Sequence, residues 1–469
     1  MAKLVDALAL GASPRKRMGV RVPPLAPKGE SMDSSKEKNS TNRLLFQTSP
    51  ITSHLLKTTI QIPKNIIDPI YLQTIELYKR QTILPGFKKD TIPAEYLKEN
   101  FKHEIENNLK NFLFKHTILD FLMDQIRSKK IVLTNYPRLT DIKIIPQKEA
   151  AFSFNLSVAD PIELKEWKNF VFRAPKRKRY KDLDRQVDYF IKRESTLFRK
   201  QDIDIVQEDD WVCFDAVLLD KKQKPIIADF KSTFWIKINN KYLTKPFLQE
   251  LIEKKVDESF ITNKLPGENH FSSEASSNEY PFLITIKMIA KGSCFSLESF
   301  KTTFKLKSKL EVHKKLIEVF SYRNDVSQRK TIIDELFHLL LSKHRFEIPK
   351  HFVIRREEDI ILSLKQHPDY QVYKQQDDFL YQIETLAEKV IKEEILIDQI
   401  AYKENIKIDH KDIQNYLYLF NNNRLKEFVY FKPIYEKLEE SELPLQKGML
   451  EQSVLREKTL NHIIHVLTK

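Results

Sequence analysis

The chain has 469 residues, a formal net charge of +14 and 41% hydrophobic residues; this is enough for roughly three domains of ~150 residues with buried cores, and it excludes a broadly disordered chain. The basic excess favours an acidic partner such as RNA, an anionic membrane surface or a ribosome. Cys213 and Cys294 form no disulfide framework or metal spacing, no run approaches the ~18 apolar residues of a membrane span, and the seven glycines leave no phosphate-cradling loop of the G-x-G-x-x-G or P-loop kind.

Residues 1–31 carry Lys3, Arg15, Lys16, Arg17, Arg21 and Lys28 against Asp6 and Glu30, with four prolines and three of the seven glycines. They read as a disordered extension or basic arm, and they resemble the false peptide made when a reading frame runs through a transfer-RNA gene; Met32 is a plausible start. The short apolar run "LVDALALGA" contains Asp6 and makes a poor signal-peptide core, so a reducing, cytoplasmic setting is the simpler expectation. Residues 32–50 are polar and linker-like.

From Lys57 the pattern becomes structured. Ile60 and Ile62 alternate in "TTIQIP", predicting a strand, and "NIIDPIYLQTIELYKRQ" predicts a helix that ends before Pro85. Pro85-Gly86 and Ile92-Pro93 are strong breakers, so Phe87, Lys88 and Lys89 are expected on a surface loop. A large ring held there is a candidate anchor for a partner's pocket, with the lysines drawing phosphates or carboxylates; the alternative is a ring folded back on its own domain. Leu97, Phe101, Ile105, Leu109, Phe112 and Leu113 then recur at helical spacing, predicting one long amphipathic helix. In "AFSFNLSV", Phe152, Phe154, Leu156 and Val158 share one face of a strand.

The segment from Lys165 is extended up to Pro175 and helical beyond it. Its basic run "RAPKRKRYK" could neutralise phosphates, yet it has no accompanying RNA-binding signature. Residues 201–291 are strand-rich, with "DDWVCFDAVLL", "KPIIADF", "TFWIKI" and "FLITIKMI", and 263–281 make a long loop. From about 293 the chain is mostly helical. Ile332, Leu336, Phe337 and Leu340 mark one helix. Phe379, Leu380, Ile383, Leu386, Val390, Ile391, Ile397 and Ile400 mark another, long one. "NYLYLFNNNRLKEFVYF" packs so many rings together that one helical stripe cannot bury them all. Either the whole set is core, or Tyr416, Tyr418, Phe420 and Phe428 include residues that hold apolar clients. His462 and His465 stand at i, i+3 without further ligands, so no metal site is expected.

Gly86, Phe87, Lys88 and Pro93, in a loop between two helices, together with "EIPKHFVIRREEDI" and "VIKEEILIDQIAYKENIKIDHKDI", resemble the trigger factor family of bacterial ribosome-associated chaperones over about residues 55–469. Asp90 and Thr91 depart from that family's loop, where a glycine and a basic residue are usual. The resemblance implies a multidomain α+β chain. Residues 1–54 would be extension and linker, 55–160 a ribosome-binding domain, and 161–200 a linker and helix. A β-rich head of the FK506-binding-protein type would follow at 201–292, and helical client-binding arms at 293–469.

It also implies docking on the large ribosomal subunit beside the exit tunnel through Gly86, Phe87, Lys88 and Lys89. Nascent or unfolded polypeptides would be the clients, and RNA would be touched only through the ribosome. A weak homodimer is compatible with the family. No membrane partner, metal, ATP or other cofactor is implied. The head would be a prolyl cis-trans isomerase, lowering a barrier of ~20 kcal/mol with an apolar pocket and no covalent group. Leu243, Phe247, Phe282 and Ile227 (or Ile226) fall on its pocket positions. Ala216 stands where an aromatic is usual, and "LTKPFLQEL" lacks the usual glycine before its aromatic, so a weakened isomerase is expected. Two other readings stay open: a periplasmic prolyl isomerase, and a basic RNA-binding or ribosome-assembly protein without clients.

Overall fold

The computed structural model describes residues 44–81, 84–88, 91–145, 149–175, 182–199, 205–219, 222–225, 231–239, 246–265, 281–291, 296–320, 322–323, 326–365, 370–422, 424–432, 437–438, 441–442 and 445–469. The first domain is an antiparallel sheet with helices over one face. Its strands are β1 (Leu45–Thr52), β2 (Leu55–Pro63), β3 (Arg138–Ile145) and β4 (Glu149–Ser157), ordered β1-β2-β4-β3. In the β2–β4 register Ile60 faces Phe152 and Ile62 faces Ala150, so the expected alternation points one set of side chains at the helices. The end of the 32–50 stretch, read as linker from its polarity, instead belongs to an edge strand, β1. Almost every residue of β1 is exposed, so no apolar alternation exists to announce it.

The helices are α1 (Lys64–Gln81), α2 (Ala94–Asn100), α3 (Lys102–Leu113) and α4 (Leu119–Ser128), with a π-turn at Phe114–Ile118. The single long helix expected from Leu97 onward is therefore broken. Phe101 has left helical geometry (φ −123°, ψ 25°), and the π-turn offsets the register before α4.

The head contains β5 (Trp211–Leu218), β6 (Ser232–Lys237), α6 (Pro246–Leu251), β7 (Ser259–Thr262) and β8 (Phe282–Ala290). The expected "KPIIADF" strand lies mostly outside the described residues. β5 is covered on both faces. Val212, Phe214 and Ala216 join a core shared with the first domain, while Trp211 and Cys213 join a core built by the C-terminal helices. Two-sided burial explains its nearly continuous apolar run.

Between the first domain and the head run the extended segment 158–175 and α5 (Leu183–Arg199). The C-terminal part comprises α7 (Leu297–Phe304), α8 (Lys309–Phe320), β9 (Tyr322–Arg323), β10 (Val326–Ser327), α9 (Gln328–Lys343), α10 (Lys350–Lys365), α11 (Tyr370–Lys374), α12 (Phe379–Lys403), α13 (His410–Asn421), β11 (Lys437–Leu438), β12 (Ser441–Glu442), β13 (Leu445–Gln446) and α14 (Lys447–Leu467). α10 and α12 pack as a hairpin closed by α11. Its core is Val353, Ile360, Leu364, Phe379, Ile383 and Ala387. Trp167 of the connecting segment is buried among residues of α9, α12 and α14.

Candidate functional site

The loop between α1 and α2 is built from two turns in series. Phe87 N donates to Leu84 O at 3.2 Å across Pro85-Gly86, and Gly86 has φ +93°. Proline second and a positive-φ glycine third define a type II turn. A Cβ on Gly86 would meet nothing within 4 Å, so the backbone angle and not space requires glycine here. The second turn closes where Thr91 N and Thr91 Oγ1 both donate to Lys88 O, at 3.1 and 2.7 Å. Buried Ile92 pins the end of the loop.

Phe87 therefore sits at a turn exit. It is 36% exposed beside the 38% exposed Tyr96, with ring centroids 5.2 Å apart and planes at 48°. The two rings make a small aromatic surface, and Lys88 beside them is exposed. Lys89 lies outside the described residues. Tyr96, on the first turn of α2, was not singled out in the sequence, because helix position alone does not say which neighbour a ring will meet.

In the head, Phe247 from α6 meets Phe214 edge-on at 5.5 Å, and Phe214 lies 5.9 Å from Phe234. Phe247 and Phe282 are 1% and 2% exposed. Phe282 stacks on Phe112 of α3 with centroids 6.4 Å apart, so its ring is covered by the first domain. Ala216 is buried within this same core. Leu243, Ile226 and Ile227 lie outside the described residues. Asp215 accepts from Lys231 Nζ at 2.8 Å and from Thr233 Oγ1 at 2.7 Å, which accounts for a buried carboxylate inside an apolar strand.

The aromatic run of α13 and the segment after it faces inward. Tyr416, Tyr418 and Phe428 are 3%, 8% and 0% exposed, and Phe420 is half-buried. Tyr416 Oη donates to Phe431 O at 2.6 Å; Phe428 packs on Phe300 and Phe304 with centroids 5.5 and 4.9 Å away. One helical stripe would leave some of these rings outside. Here α7, α14 and β8 cover α13 from more than one side, so Tyr416, Tyr418 and Phe428 are buried in this arrangement.

Exposed apolar residues lie instead on the far half of the α10–α12 hairpin. Leu362, Val372, Leu380 and Tyr381 are 39%, 63%, 71% and 71% exposed. The 3.6-residue count had placed Leu380 on the buried stripe with Phe379. Only one of two adjacent residues can face α10, and Phe379 does. The basic run from Lys176 to Lys181 lies outside the described residues. His462 approaches Lys305 Nζ at 3.0 Å and meets Trp167 edge-on at 6.0 Å. Loss of solvent and the neighbouring Lys305 charge hold its imidazole below the ordinary range. Among the described residues no group of three or more His, Cys, Asp or Glu side chains is placed to hold a metal ion, and no helix is long and apolar enough to cross a membrane.

Two family models match the chain. "Bacterial trigger factor protein (TF)" matches residues 47–193, and "Bacterial trigger factor protein (TF) C-terminus" matches residues 309–465. Together they span nearly two thirds of the sequence and flank the head. A trigger factor from Desulfatibacillum aliphaticivorans is 20% identical over 420 residues, covering 85% of this chain and 90% of that protein. One from Clostridium beijerinckii is 20% identical over 440 residues, covering 88% and 97%. A solved structure titled "Promiscuous Substrate Recognition in Folding and Assembly Activities of the Trigger Factor Chaperone" covers 89% of this chain and 99% of its own, at 15% identity and a TM-score of 0.34.

A mixed helix-and-sheet chain with these two matched regions, in this order, is a protein-folding chaperone. It belongs to the trigger factor family.

Proposed function

We propose that this chaperone docks on the large ribosomal subunit beside the exit tunnel through the 84–93 loop and holds emerging, unfolded chains without ATP. The observation that carries the docking is the type II turn that sets Phe87 and Lys88 outward. A ring fixed by a turn loses little entropy on insertion into a pocket, and adjacent positive charge favours a phosphate-rich partner. Asp90 lowers that charge relative to the family's loop and bears on affinity more than on the mode of docking.

Client holding is better supported by the exposed hairpin residues Leu362, Val372, Leu380 and Tyr381 than by the buried aromatic run. Separated apolar patches suit a client without fixed structure. The head is read as a prolyl isomerase of reduced activity, because Ala216 stands where an aromatic is usual. The whole would work in the cytoplasm, with RNA contacted only on the ribosome.

Co-sedimentation with ribosomes tests the docking. Phe87→Ala combined with Lys88→Ala and Lys89→Ala should leave the fold intact and weaken binding more than tenfold, about 2–4 kcal/mol for an aromatic anchor with charge contacts. Binding like that of the unsubstituted protein would overturn the docking assignment.

A further inference from the structure

Seven consecutive residues, 445–451, hold three parts of the molecule at once. β13 adds to the free edge of β6, with Leu445 opposite Trp235 and Gln446 opposite Phe234, and Leu445 is buried in the core behind the head sheet. α14 starts immediately afterwards, and its first turn is gripped by α4 of the first domain. Gly448 N donates to Asp120 Oδ1 at 3.2 Å. Arg127 Nη1 donates to Gly448 O at 2.7 Å, and Arg127 Nη2 meets Glu451 Oε2 at 2.5 Å. The helices approach so closely that a Cβ on Gly448 would lie 2.7 Å from Met123 Cβ. Real Cβ atoms do not come that near, so glycine is required here by space. The next residue, Met449, packs against the core that joins the first domain to the head.

Two residues of strand pairing are marginal by themselves. The grip of α4 on the adjoining turn supplies what the short strand lacks. The same arrangement brings Phe112 of α3 onto Phe282, on the side of the head that faces α6. We propose that residues 445–451 form a clasp that keeps the head closed against the first domain, with Phe112 covering the face on which a prolyl peptide would bind. This rests on the isomerase reading of the head and adds its regulation: the resting chain is self-covered, and release of the clasp uncovers the face. Covering by a ring from the same chain also fits an apolar site, since the ring replaces water there as a client side chain would.

Hydrogen–deuterium exchange on the full chain tests the clasp. Gly448→Val forces α14 away from Met123 and should raise exchange of the β6 and β8 amides at least tenfold, with α10 and α12 unchanged. Because a β-branched residue in a helix could disturb α14 itself, Arg127→Gln with Leu445→Ser is the second variant; it loosens both grips without a steric clash and should move the same amides. Unchanged exchange in β6 and β8 in both variants overturns the clasp. Isomerisation of a short Xaa-Pro peptide, measured on Phe112→Ala and on the opened variants, then addresses the head separately. A several-fold gain over the unsubstituted chain supports Phe112 as the cover. Opened amides without any isomerase gain leave the clasp standing and remove the isomerase reading of the head.

Discussion

The two halves of α12 have similar apolar content and opposite fates. In the far half, Phe379, Ile383 and Ala387 pack on α10, while Leu380 and Tyr381 stand mostly in solvent. In the near half, Ile391, Glu393, Ile395, Leu396, Ile397, Asp398, Ile400 and Ala401 are all buried. The difference lies in what surrounds each half. The far half has one neighbour in the hairpin, so one stripe is covered. The near half is enclosed by α9, α10, α14 and the connecting segment, whose Asp160 O accepts from Gln399 Nε2 at 2.8 Å and whose Ile162 N donates to Gln399 Oε1 at 2.7 Å.

Full enclosure admits polar groups only in pairs. Arg456 meets Asp398 through two nitrogens at 2.9 and 2.8 Å. Arg356 reaches Glu394 at 2.8 Å and Thr134 O at 3.3 Å, tying the arm base to the first domain. The base thus ties the arm to its neighbours, and the far half leaves apolar surface exposed.

Substitutions at the two ends should separate these roles. Asp398→Ala should have the largest effect, because it removes the two-nitrogen partner of the buried Arg456 guanidinium and leaves it only the contact with Glu394 at 3.3 Å. Breaking one partner of a buried pair costs about 3–5 kcal/mol, readable as a lowered denaturant midpoint. A loss below about 1 kcal/mol would mean that water reaches the base and the enclosure is incomplete.

Glu393 gives a smaller, pH-dependent effect. Burial pushes its carboxyl up to about 7 against the Tyr430 hydrogen bond and the Lys389 charge, which lower it. The folded state therefore keeps a proton that the unfolded chain releases above its ordinary value of 4.5. Stability from this group falls as pH rises from about 4.5 to about 7 and stays low above that. Glu393→Gln should remove that fall and stabilise the protein at pH 8 by about 1–3 kcal/mol, with little change at pH 4. Urea titrations at the two pH values measure it, and equal pH dependence in both proteins would assign the group to another protonation state.

The smallest stability effect belongs to the far half. Leu380→Ser with Tyr381→Ser should change unfolding free energy by no more than about 0.5 kcal/mol per site. It should nevertheless reduce suppression of aggregation of an unfolded model protein in the absence of ATP. Full retention of that activity would move client binding off the hairpin.

Much of the architecture was legible beforehand. Alternation in β2, β4 and β8, the proline-glycine punctuation of the 84–93 loop and the helical period of α12 are local signals, set by backbone geometry that each short stretch carries within itself. The positive φ of Gly86 belongs to this class, since Pro85-Gly86 specifies its own turn. The exposed strand β1 and the break at Phe101 lacked such signals: β1 has no apolar alternation and carries Pro50, which argues against a strand, and no breaker residue marks Phe101.

Facing is a different matter. Leu380 and Phe379 are adjacent, equally apolar and in one helix, and only the position of α10 decides which is covered. The rings of Tyr416, Tyr418 and Phe428 exceed what one stripe can bury, and they are buried because helices close on them from several directions. At Gly448 it is the approach of Met123, from a helix far away in the chain, that makes glycine obligatory. Local sequence determined which segments become strands, helices and turns, since those depend on neighbours within a few residues. Which faces became core, clasp or open surface depended on contacts between residues tens to hundreds of positions apart, and these exist only once the chain has packed.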